Sequence, residues 1–294
     1  MKLTSYYYRL CEEPRKIRFI LSRLLWVTRL CCFLTIDRGG YRLRFFPTSL
    51  SASLWVGAGS CNQQIDSDEE FLATYLRKGD VVCDVGANIG SMTLRAAHEV
   101  GANGCVLAFE PHPRTFEFLR KNITLNMFSN VDVYNVAIGE ETNSVGMEDR
   151  RSDDQNRITG DGQIRVQQRT LDDYTGKYKL LSLLKIDVEG YEKFVLLGAS
   201  KTIQKTACIY FESYNKLFAQ FGYSCDEFFG MLKSYGFRLY RRHGNALENL
   251  PVGYESDSCE NLIAVRDPQQ IAQRTGYVLM EESYIGIAHM RSVY

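Results

Sequence analysis

The hydrophobic pattern divides the central part of the chain into alternating strands and helices. Short, mostly apolar runs occur at 81–85, 105–111, 131–139, 180–190 and 207–213. Runs with apolar residues at helical spacing lie between or beside them, at 66–78, 91–100, 112–127, 191–205 and 224–236. Continuous apolar runs are typical of strands buried on both faces, and this alternation predicts parallel strands connected by helices.

Alternating apolar and polar residues predict several additional strands. The predicted elements are a short strand or hairpin within 39–61, an extra antiparallel strand or hairpin at 164–170, and two closing strands at 237–243 and 261–267. The pattern as a whole predicts an α/β fold with a doubly wound, mostly parallel sheet in one main domain.

The main domain is predicted to span 66–267, after a basic helical and hairpin extension at 1–65 and before a tail at 268–294. Residues 15–34 are apolar, but a basic residue interrupts them every five or six positions. A membrane-spanning helix needs about 20 mostly apolar residues, and a signal peptide needs an unbroken apolar segment, so neither fits. Two interpretations remain: a helix packed on the main domain, or a basic amphipathic helix on a membrane surface. We expect a cytoplasmic protein, free or bound peripherally at the membrane.

Composition narrows the function classes. The 294 residues are 45% hydrophobic, and 35 basic residues balance 35 acidic ones. A zero net charge does not favour a general nucleic-acid binder, and the main domain has no basic stripe with interleaved aromatic residues. The nine cysteines are scattered and form no CxxC pair, which argues against a disulfide scaffold or a zinc module. We therefore expect reduced thiols, and partners other than nucleic acid.

The first chemical motif is the sequence DVGANIG at residues 84–90, between a predicted strand and a predicted helix. Gly86 and Gly90 allow a sharp turn whose backbone N–H groups point outward at a helix N-terminus, a place that suits a phosphate or a carboxylate. Asp84 can organise this turn or accept a proton from a ligand's ammonium group. The motif therefore predicts the first turn of a nucleotide-binding unit.

The second motif is Glu110, which ends the next strand in the sequence FEPHP. It follows Gly86 by 24 residues, a spacing that fits the ribose-binding acid of a nucleotide-binding unit. A dinucleotide dehydrogenase would share this acid. However, the turn is not the GxGxxG that packs a pyrophosphate, and no second nucleotide-binding half follows. An adenosyl ligand with an amino-acid end fits the two motifs better.

The third motif is KIDVEG, in which Lys185, Asp187 and Glu189 would share one face at the end of a buried strand. Two carboxylates beside a lysine could position a substrate hydroxyl and take its proton, or they could only organise nearby loops. They could also hold Mg²⁺. Because the four histidines show no ligand spacing, we predict no metal site.

These motifs, together with NVAIG, TLDDY and a strand that ends in FES, resemble the FkbM family over residues 66–267. The resemblance implies an S-adenosylmethionine-dependent methyltransferase with a Rossmann-like, seven-stranded sheet. It also implies an O-methyltransferase (EC 2.1.1 type) that acts on hydroxyls of sugars, glycolipids or natural products. The alternative is a Rossmann-like module that binds an adenosyl ligand without catalysis.

The resemblance also implies roles for individual residues. The cofactor loop corresponds to Asp84, Gly86, Ala87, Asn88 and Gly90. The ribose acid is Glu110, followed by Pro111, and the adenine lining contains Asn135 and Ala137. Asp187 and Glu189 would face the methyl donor and acceptor, with Lys185 tuning the pair, so that these three are the catalytic candidates and Asp187 also contacts the cofactor. Glu212 would continue the acceptor pocket.

The acceptor, either a small molecule or a glycan or lipid, is not identified by these motifs. A polar stretch at 140–163 is the candidate acceptor-facing segment, and it contains charged residues that could contact an acceptor: Arg150, Arg151, Asp153, Asp154 and Arg157. A solvated surface loop would have the same composition.

Overall fold

The computed structural model describes residues 17–18, 20–21, 24, 34–46, 49–56, 60–150 and 156–280. The strands are β1 (Thr35–Asp37), β2 (Arg42–Arg44), β3 (Val81–Val85), β4 (Cys105–Phe109), β5 (Val131–Tyr134), β6 (Ala137–Ile138), β7 (Asn143–Met147), β8 (Ile164–Arg169), β9 (Leu181–Ile186), β10 (Thr206–Ser213), β11 (Arg238–His243), β12 (Ala246–Asn249), β13 (Glu260–Val265) and β14 (Val278–Met280). The helices are α1 (Leu50–Val56), α2 (Ser60–Tyr75), α3 (Ser91–Val100), α4 (Pro113–Asn126), α5 (Asp172–Thr175), α6 (Glu192–Leu197), α7 (Ser200–Gln204), α8 (Asn215–Gln220), α9 (Cys225–Ser234) and α10 (Pro268–Thr275).

The main sheet confirms the predicted fold class. Its nine strands run in the order β14-β12-β11-β13-β10-β9-β3-β4-β5. The five strands β5, β4, β3, β9 and β10 are parallel neighbours, whereas β13 and β11 join antiparallel beside β10. These seven strands are the predicted set. Two more strands, β12 from a predicted loop and β14 from the predicted tail, extend the β11 edge.

Helices cover both faces of this sheet because its central strands are apolar on both sides. Along β9, Leu183 belongs to one buried cluster and Leu184 to the other, as the period of two in a strand requires. Phe228 of α9 packs in the cluster of Leu184, and Ala97 of α3 packs in the cluster of Leu183. This two-sided burial explains the continuous apolar run in the sequence.

Several predicted boundaries were wrong. The strand predicted at 131–139 divides into β5 and β6, and β6 pairs with β8 in a separate three-stranded sheet with β7. The helix predicted at 191–205 is interrupted at Gly198. The helix predicted at 66–78 begins six residues earlier, at Ser60, and ends at Tyr75.

The N-terminal extension contains a hairpin formed by β1 and β2, of which only β2 lies in the predicted range 39–61; β1 precedes that range, and α1 follows β2 within it. Most of the segment 15–34, and residues 281–294, lie outside the described residues. Within the described part of the chain, no helix has the length and hydropathy needed to cross a membrane.

Candidate active site

A cavity of about 300 Å³ lies along the carboxyl ends of the central strands β3, β4, β9 and β10. This edge is where open α/β sheets bind ligands, and the volume suits a small molecule. The cavity lining contains nine of the predicted site residues: Gly86, Ala87, Asn88, Glu110, Pro111, Ala137, Lys185, Asp187 and Glu189. Glu212 also lines it. The structure therefore brings the three sequence motifs to one place.

The turn after β3 lies directly against the end of β9. Gly86 has a φ of 84°, and a Cβ atom there would lie only 1.8 Å from the backbone oxygen of Asp187. The backbone N–H groups of Gly86 and Ala87 both donate to the carbonyl of Phe109, at 3.0 and 2.9 Å. Glycine is required at 86 because only a residue without Cβ permits this close approach and this left-handed conformation.

Glu110 ties this turn to the end of β4. Its Oε2 accepts a hydrogen bond from the backbone N–H of Asn88 at 2.9 Å, and its Oε1 accepts one from the backbone N–H of His112, also at 2.9 Å. The side chain is buried yet lines the cavity. The carboxylate of Glu110 therefore joins the turn after β3 to the turn after β4 at the cavity wall.

Lys185 connects β3 to β9 at the cavity wall. Its Nζ lies 3.3 Å from Oδ1 of Asp84 and 3.2 Å from Oδ2 of Asp187, and it donates to the carbonyl of Gly86 at 3.1 Å. Burial alone would lower the pKa of Lys185, but the carboxylates of Asp187 and Asp84 raise it above its ordinary value. Lys185 is therefore a fixed cation.

Three predicted residues lie outside the cavity lining. The fully buried Asp84 pairs with Lys185 and accepts a hydrogen bond from Thr93 Oγ1 at 2.5 Å, so it organises the turn from below. Gly90 also has a positive φ, 95°, and begins α3. The amide of Asn135 donates to the backbone carbonyls of Glu110 and Pro111 at 2.8 and 2.9 Å, which fixes the turn after β4.

A carboxylate cluster, formed by Asp187, Glu189 and Glu212, lies on the cavity wall. One oxygen of each residue lies within 4.8 Å of those of the other two. The prediction that 185, 187 and 189 share a strand face was wrong, because β9 ends at Ile186 and Glu189 adopts a left-handed φ of 57°. The turn after β9, and not the strand itself, therefore brings Glu189 to Asp187.

Glu212 is the most buried member of the carboxylate cluster. Its exposure is 9%, and burial together with the charges of Asp187 and Glu189 raises its pKa well above the ordinary value. Cys259 Sγ donates to its Oε1 at 2.7 Å. Its Oε2 is buried and has no hydrogen-bond partner among the described residues.

The sequence analysis did not predict one further acidic residue of the cavity lining, Asp68 of α2. The hydroxyl of Tyr210 donates to its carboxylate, and the Asn261 amide donates to its Oδ2 at 2.9 Å. Burial raises the pKa of Asp68 to about 6. The sequence carried no signal for this role, because the three residues come from a helix, a parallel strand and an antiparallel strand far apart in the chain.

The cavity lining also contains apolar residues from the second, three-stranded sheet and from beside its strands, namely Val136, Ala137, Ile138, Met147 and Ile158. Asn156 and Arg157 of the predicted acceptor-facing segment line the cavity too. Arg151, Asp153 and Asp154 lie outside the described residues, and Arg150 is not part of the lining. Among its described residues, this segment therefore contributes to the cavity through Met147 and residues 156–158.

Comparison with known proteins places these features in a family. The family model for the methyltransferase FkbM domain matches residues 84–239. Methyltransferase 1 of Beauveria bassiana is 31% identical over 143 residues, which cover 40% of this chain and 57% of the relative. The 2-O-methyltransferase NoeI of Sinorhizobium fredii is 26% identical over 164 residues, which cover 48% of this chain and 66% of the relative. The chain thus spans less than two thirds of either relative.

Two solved structures match parts of the chain at low identity. An S-adenosylmethionine-dependent O-methyltransferase from Thermotoga maritima is 16% identical, with a TM-score of 0.41 over 68% of this chain and 64% of that one. Fibrillarin from Aeropyrum pernix, solved with S-adenosyl-L-methionine, is 12% identical, with a TM-score of 0.41 over 67% of this chain and 76% of that one.

Proposed function

The chain belongs to the FkbM methyltransferase family, whose cofactor is S-adenosylmethionine, and we propose that it methylates a hydroxyl oxygen of a sugar, glycolipid or natural product. The observation that carries this proposal is the carboxylate cluster in the same cavity as Glu110. A hydroxyl acceptor needs a nearby group that takes its proton, and carboxylates serve this purpose. The name of the 2-O-methyltransferase relative supports an oxygen acceptor.

The residues of the cavity fit S-adenosylmethionine. We place the two ribose hydroxyls at Glu110, which lines the cavity and whose negative charge favours a ribose without a phosphate. The turn at Gly86 to Asn88 lines the same cavity, and we place the methionine end of the cofactor against its backbone. Val136 and Ala137 offer an apolar surface for the adenine. We propose that these residues hold the cofactor.

When bound, S-adenosylmethionine supplies a methyl group that the sulfonium charge activates. The protein then acts by orienting the acceptor oxygen and removing its proton. We propose that Asp187 or Glu189 accepts this proton. Lys185 holds Asp187 in place, since its ammonium also binds Asp84 and the carbonyl of Gly86.

The full chain should be incubated with S-adenosylmethionine and a panel of sugars, oligosaccharides, glycolipids and hydroxylated natural products, with mass spectrometry of the products. A gain of about 14 daltons on an oxygen of one acceptor class is the expected result. Transfer to nitrogen alone would overturn the proposal. Cofactor binding without transfer to any cellular glycan or lipid would favour the non-catalytic adenosyl-binding module.

Two variants test the proton acceptor. Asp187→Asn and Glu189→Gln keep side-chain size while removing the base, and the cofactor affinity of each is measured separately by calorimetry. Loss of transfer by about 10²–10⁴-fold in one of them, with cofactor affinity retained, supports the assignment. Unchanged transfer in both variants would remove the base role from these residues.

We also propose that the segment 15–34 contacts a membrane surface. Its described residues 17, 18, 20, 21 and 24 are helical. Four of them are apolar side chains that are 41–82% exposed at helical spacing, namely Ile17, Ile20, Leu21 and Leu24. Basic residues accompany them, as in helices that lie on anionic lipid. The full chain should float with phosphatidylserine-containing vesicles, and the double variant Ile20→Glu/Leu21→Glu should not. Equal behaviour of the two chains would contradict the proposal.

A further inference from the structure

We propose that the carboxylate cluster binds one divalent cation of the oxygen-preferring type, Mg²⁺, Mn²⁺ or Ca²⁺, and that this cation contacts the acceptor oxygen. The cation site rests on the geometry of Asp187, Glu189 and Glu212, and its role toward the acceptor rests on the proposed function. The sequence does not indicate this site. The histidines have no ligand spacing, and Glu212 is separated from Glu189 by α6, α7 and most of β10.

The spacing of the three oxygens suits a cation. Because they lie within 4.8 Å of one another, a point exists that is no more than about 2.8 Å from each. Calcium–oxygen bonds are about 2.3–2.6 Å long and magnesium–oxygen bonds about 2.0–2.1 Å. Inward movements of about 0.2–0.5 Å bring all three oxygens to the calcium–oxygen distance, and about 0.7–0.8 Å bring them to the magnesium–oxygen distance.

An independent observation comes from Glu212. Its Oε2 is buried and has no hydrogen-bond partner among the described residues, although the side chain lines the cavity and is more than nine-tenths buried. Its Oε1 is held by the Cys259 thiol at 2.7 Å, which fixes the orientation of the carboxylate. A buried carboxylate oxygen without a partner is costly, and a bound cation removes that cost.

The formal charge of the cavity also favours a cation. Its lining contains five acids, namely Asp68, Glu110 and the carboxylate cluster, against two bases, Lys185 and Arg157. Lys185 also pairs with Asp84, which lies outside the lining. With all five acids ionised, S-adenosylmethionine, which has one net positive charge, leaves about two formal negative charges in the lining. One divalent cation at the carboxylate cluster balances them.

The cation would act on the acceptor through its open positions. Three protein oxygens leave further coordination positions for water or for acceptor hydroxyls. A hydroxyl bound there is fixed next to the cavity and releases its proton more readily. The acceptor class that fits is one with two neighbouring oxygens, such as a sugar diol, because two oxygens can occupy adjacent positions.

The test uses the full chain freed of metal with a chelator and titrated with Mn²⁺ under electron paramagnetic resonance detection. We expect one Mn²⁺ per chain, with binding weakened at least tenfold in Glu212→Gln and in Glu189→Gln. The matched control is Glu227→Gln, which removes a carboxylate that pairs with Lys193 on the surface and should leave Mn²⁺ binding unchanged. Calorimetry with S-adenosylmethionine shows that each variant is folded.

Several outcomes separate this inference from the proposed function. The cation site is overturned if the chain does not bind Mn²⁺, or if the natural chain and Glu212→Gln bind it equally. Either result is expected if the carboxylates instead bind an ammonium group of the acceptor. Methyl transfer to a hydroxyl at full rate in excess EDTA overturns the cation's role but supports the proposed function. Cluster-dependent Mn²⁺ binding without transfer to any hydroxyl supports the site and overturns the proposed function.

Discussion

The ammonium group of Lys185 lies 3.2 Å from the carboxylate of Asp187. It simultaneously contacts Asp84 under the cofactor turn. Asp84 is fully buried, whereas Asp187 is partly exposed to the cavity. One buried cation therefore connects the turn after β3 with the carboxylate cluster.

Replacing Lys185 should destabilise the fold and weaken cofactor binding together. Lys185→Met leaves Asp84 buried without its cation, and breaking a buried pair in this way costs about 3–5 kcal/mol. The comparison is Lys193→Met, whose partner Glu227 is largely exposed, so that its loss should cost less than about 1 kcal/mol. Denaturant unfolding measures both. Similar losses in the two variants would show that Lys185 adds no more stability than a surface lysine.

A pair of glycine variants tests the contact between the turn and β9. Gly86→Ala places a Cβ atom 1.8 Å from the backbone oxygen of Asp187, whereas at Gly79 no described atom lies within 4 Å. Both glycines have positive φ, so Gly79→Ala should cost only the conformational strain of about 1–2 kcal/mol. Gly86→Ala should cost several kcal/mol and abolish cofactor binding. Thermal unfolding and calorimetry measure the difference, and equal losses would contradict a role for close packing.

Glu110 should determine cofactor affinity more than turnover. In Glu110→Gln, an amide nitrogen faces the backbone N–H of Asn88 or of His112, and one acceptor for the ribose is lost. We expect S-adenosylmethionine to bind about 10–100-fold more weakly, since a hydrogen bond to a charged group contributes about 1.5–3 kcal/mol. Turnover at saturating cofactor should change less than about threefold. Glu117→Gln, an exposed position in α4, is the control, and an equal effect there would remove the assignment.

Glu192 should make the stability of the fold depend on pH. Burial raises its pKa from 4.5 to about 7, while its Oε1 accepts the backbone N–H groups of Val188 and Gly190. Because the folded-state pKa lies above the unfolded one, its contribution to stability is complete below pH 4.5 and declines as the pH rises through 7.

The variant Glu192→Gln isolates this effect, because an amide keeps the acceptor oxygen but does not ionise. The two chains should be equally stable below pH 4.5, and the variant should gain about 3 kcal/mol over the natural chain above pH 7. Urea unfolding at a series of pH values measures the difference. A difference that does not change with pH would show that Glu192 does not titrate in this range.

Arg157 should affect the acceptor and not the methyl donor. It lines the cavity and donates to the side chain of Gln220 at 2.6 Å, which connects the acceptor-facing segment to α8. Arg157→Ala should raise the acceptor KM several-fold and leave the affinity for S-adenosylmethionine within about twofold. Arg165→Ala, in the strand β8 and outside the cavity lining, is the control. A weaker cofactor affinity in Arg157→Ala would instead place Arg157 beside the cofactor.

The sequence allowed the sheet and the three cavity motifs to be predicted, because both depend on local patterns. Continuous apolar runs identified the parallel strands, and glycine and acidic residues at strand ends identified Gly86, Glu110 and Asp187. The place of Glu189 was less predictable. Its position depends on a left-handed turn after β9, and a period of two along the sequence does not show where a strand stops.

Contacts between distant segments could not be predicted. Asp68 enters the cavity only because Tyr210 and Asn261 hold it there, and these residues are more than 140 positions away in the chain. Likewise, the sequence does not show that Asp84 is compensated by Lys185, about a hundred residues later, and is thereby kept below the cavity. Such pairings depend on the order of the strands in the sheet, and the residue type at one position does not reveal that order.

The ion pair between Asp80 and Arg274 has a practical consequence for work with this protein. Asp80 precedes β3 and its carboxylate binds Arg274 of α10 at 2.7 Å, as well as the hydroxyl of Ser182. The family match ends at residue 239, well before that arginine. A recombinant fragment trimmed to the matched region would lack Arg274 and would leave the region before β3 without the ion pair between Arg274 and Asp80. Expression should therefore extend to residue 280 at least, because the folded unit, which includes α10 and β14, is longer than the region that the family model matches.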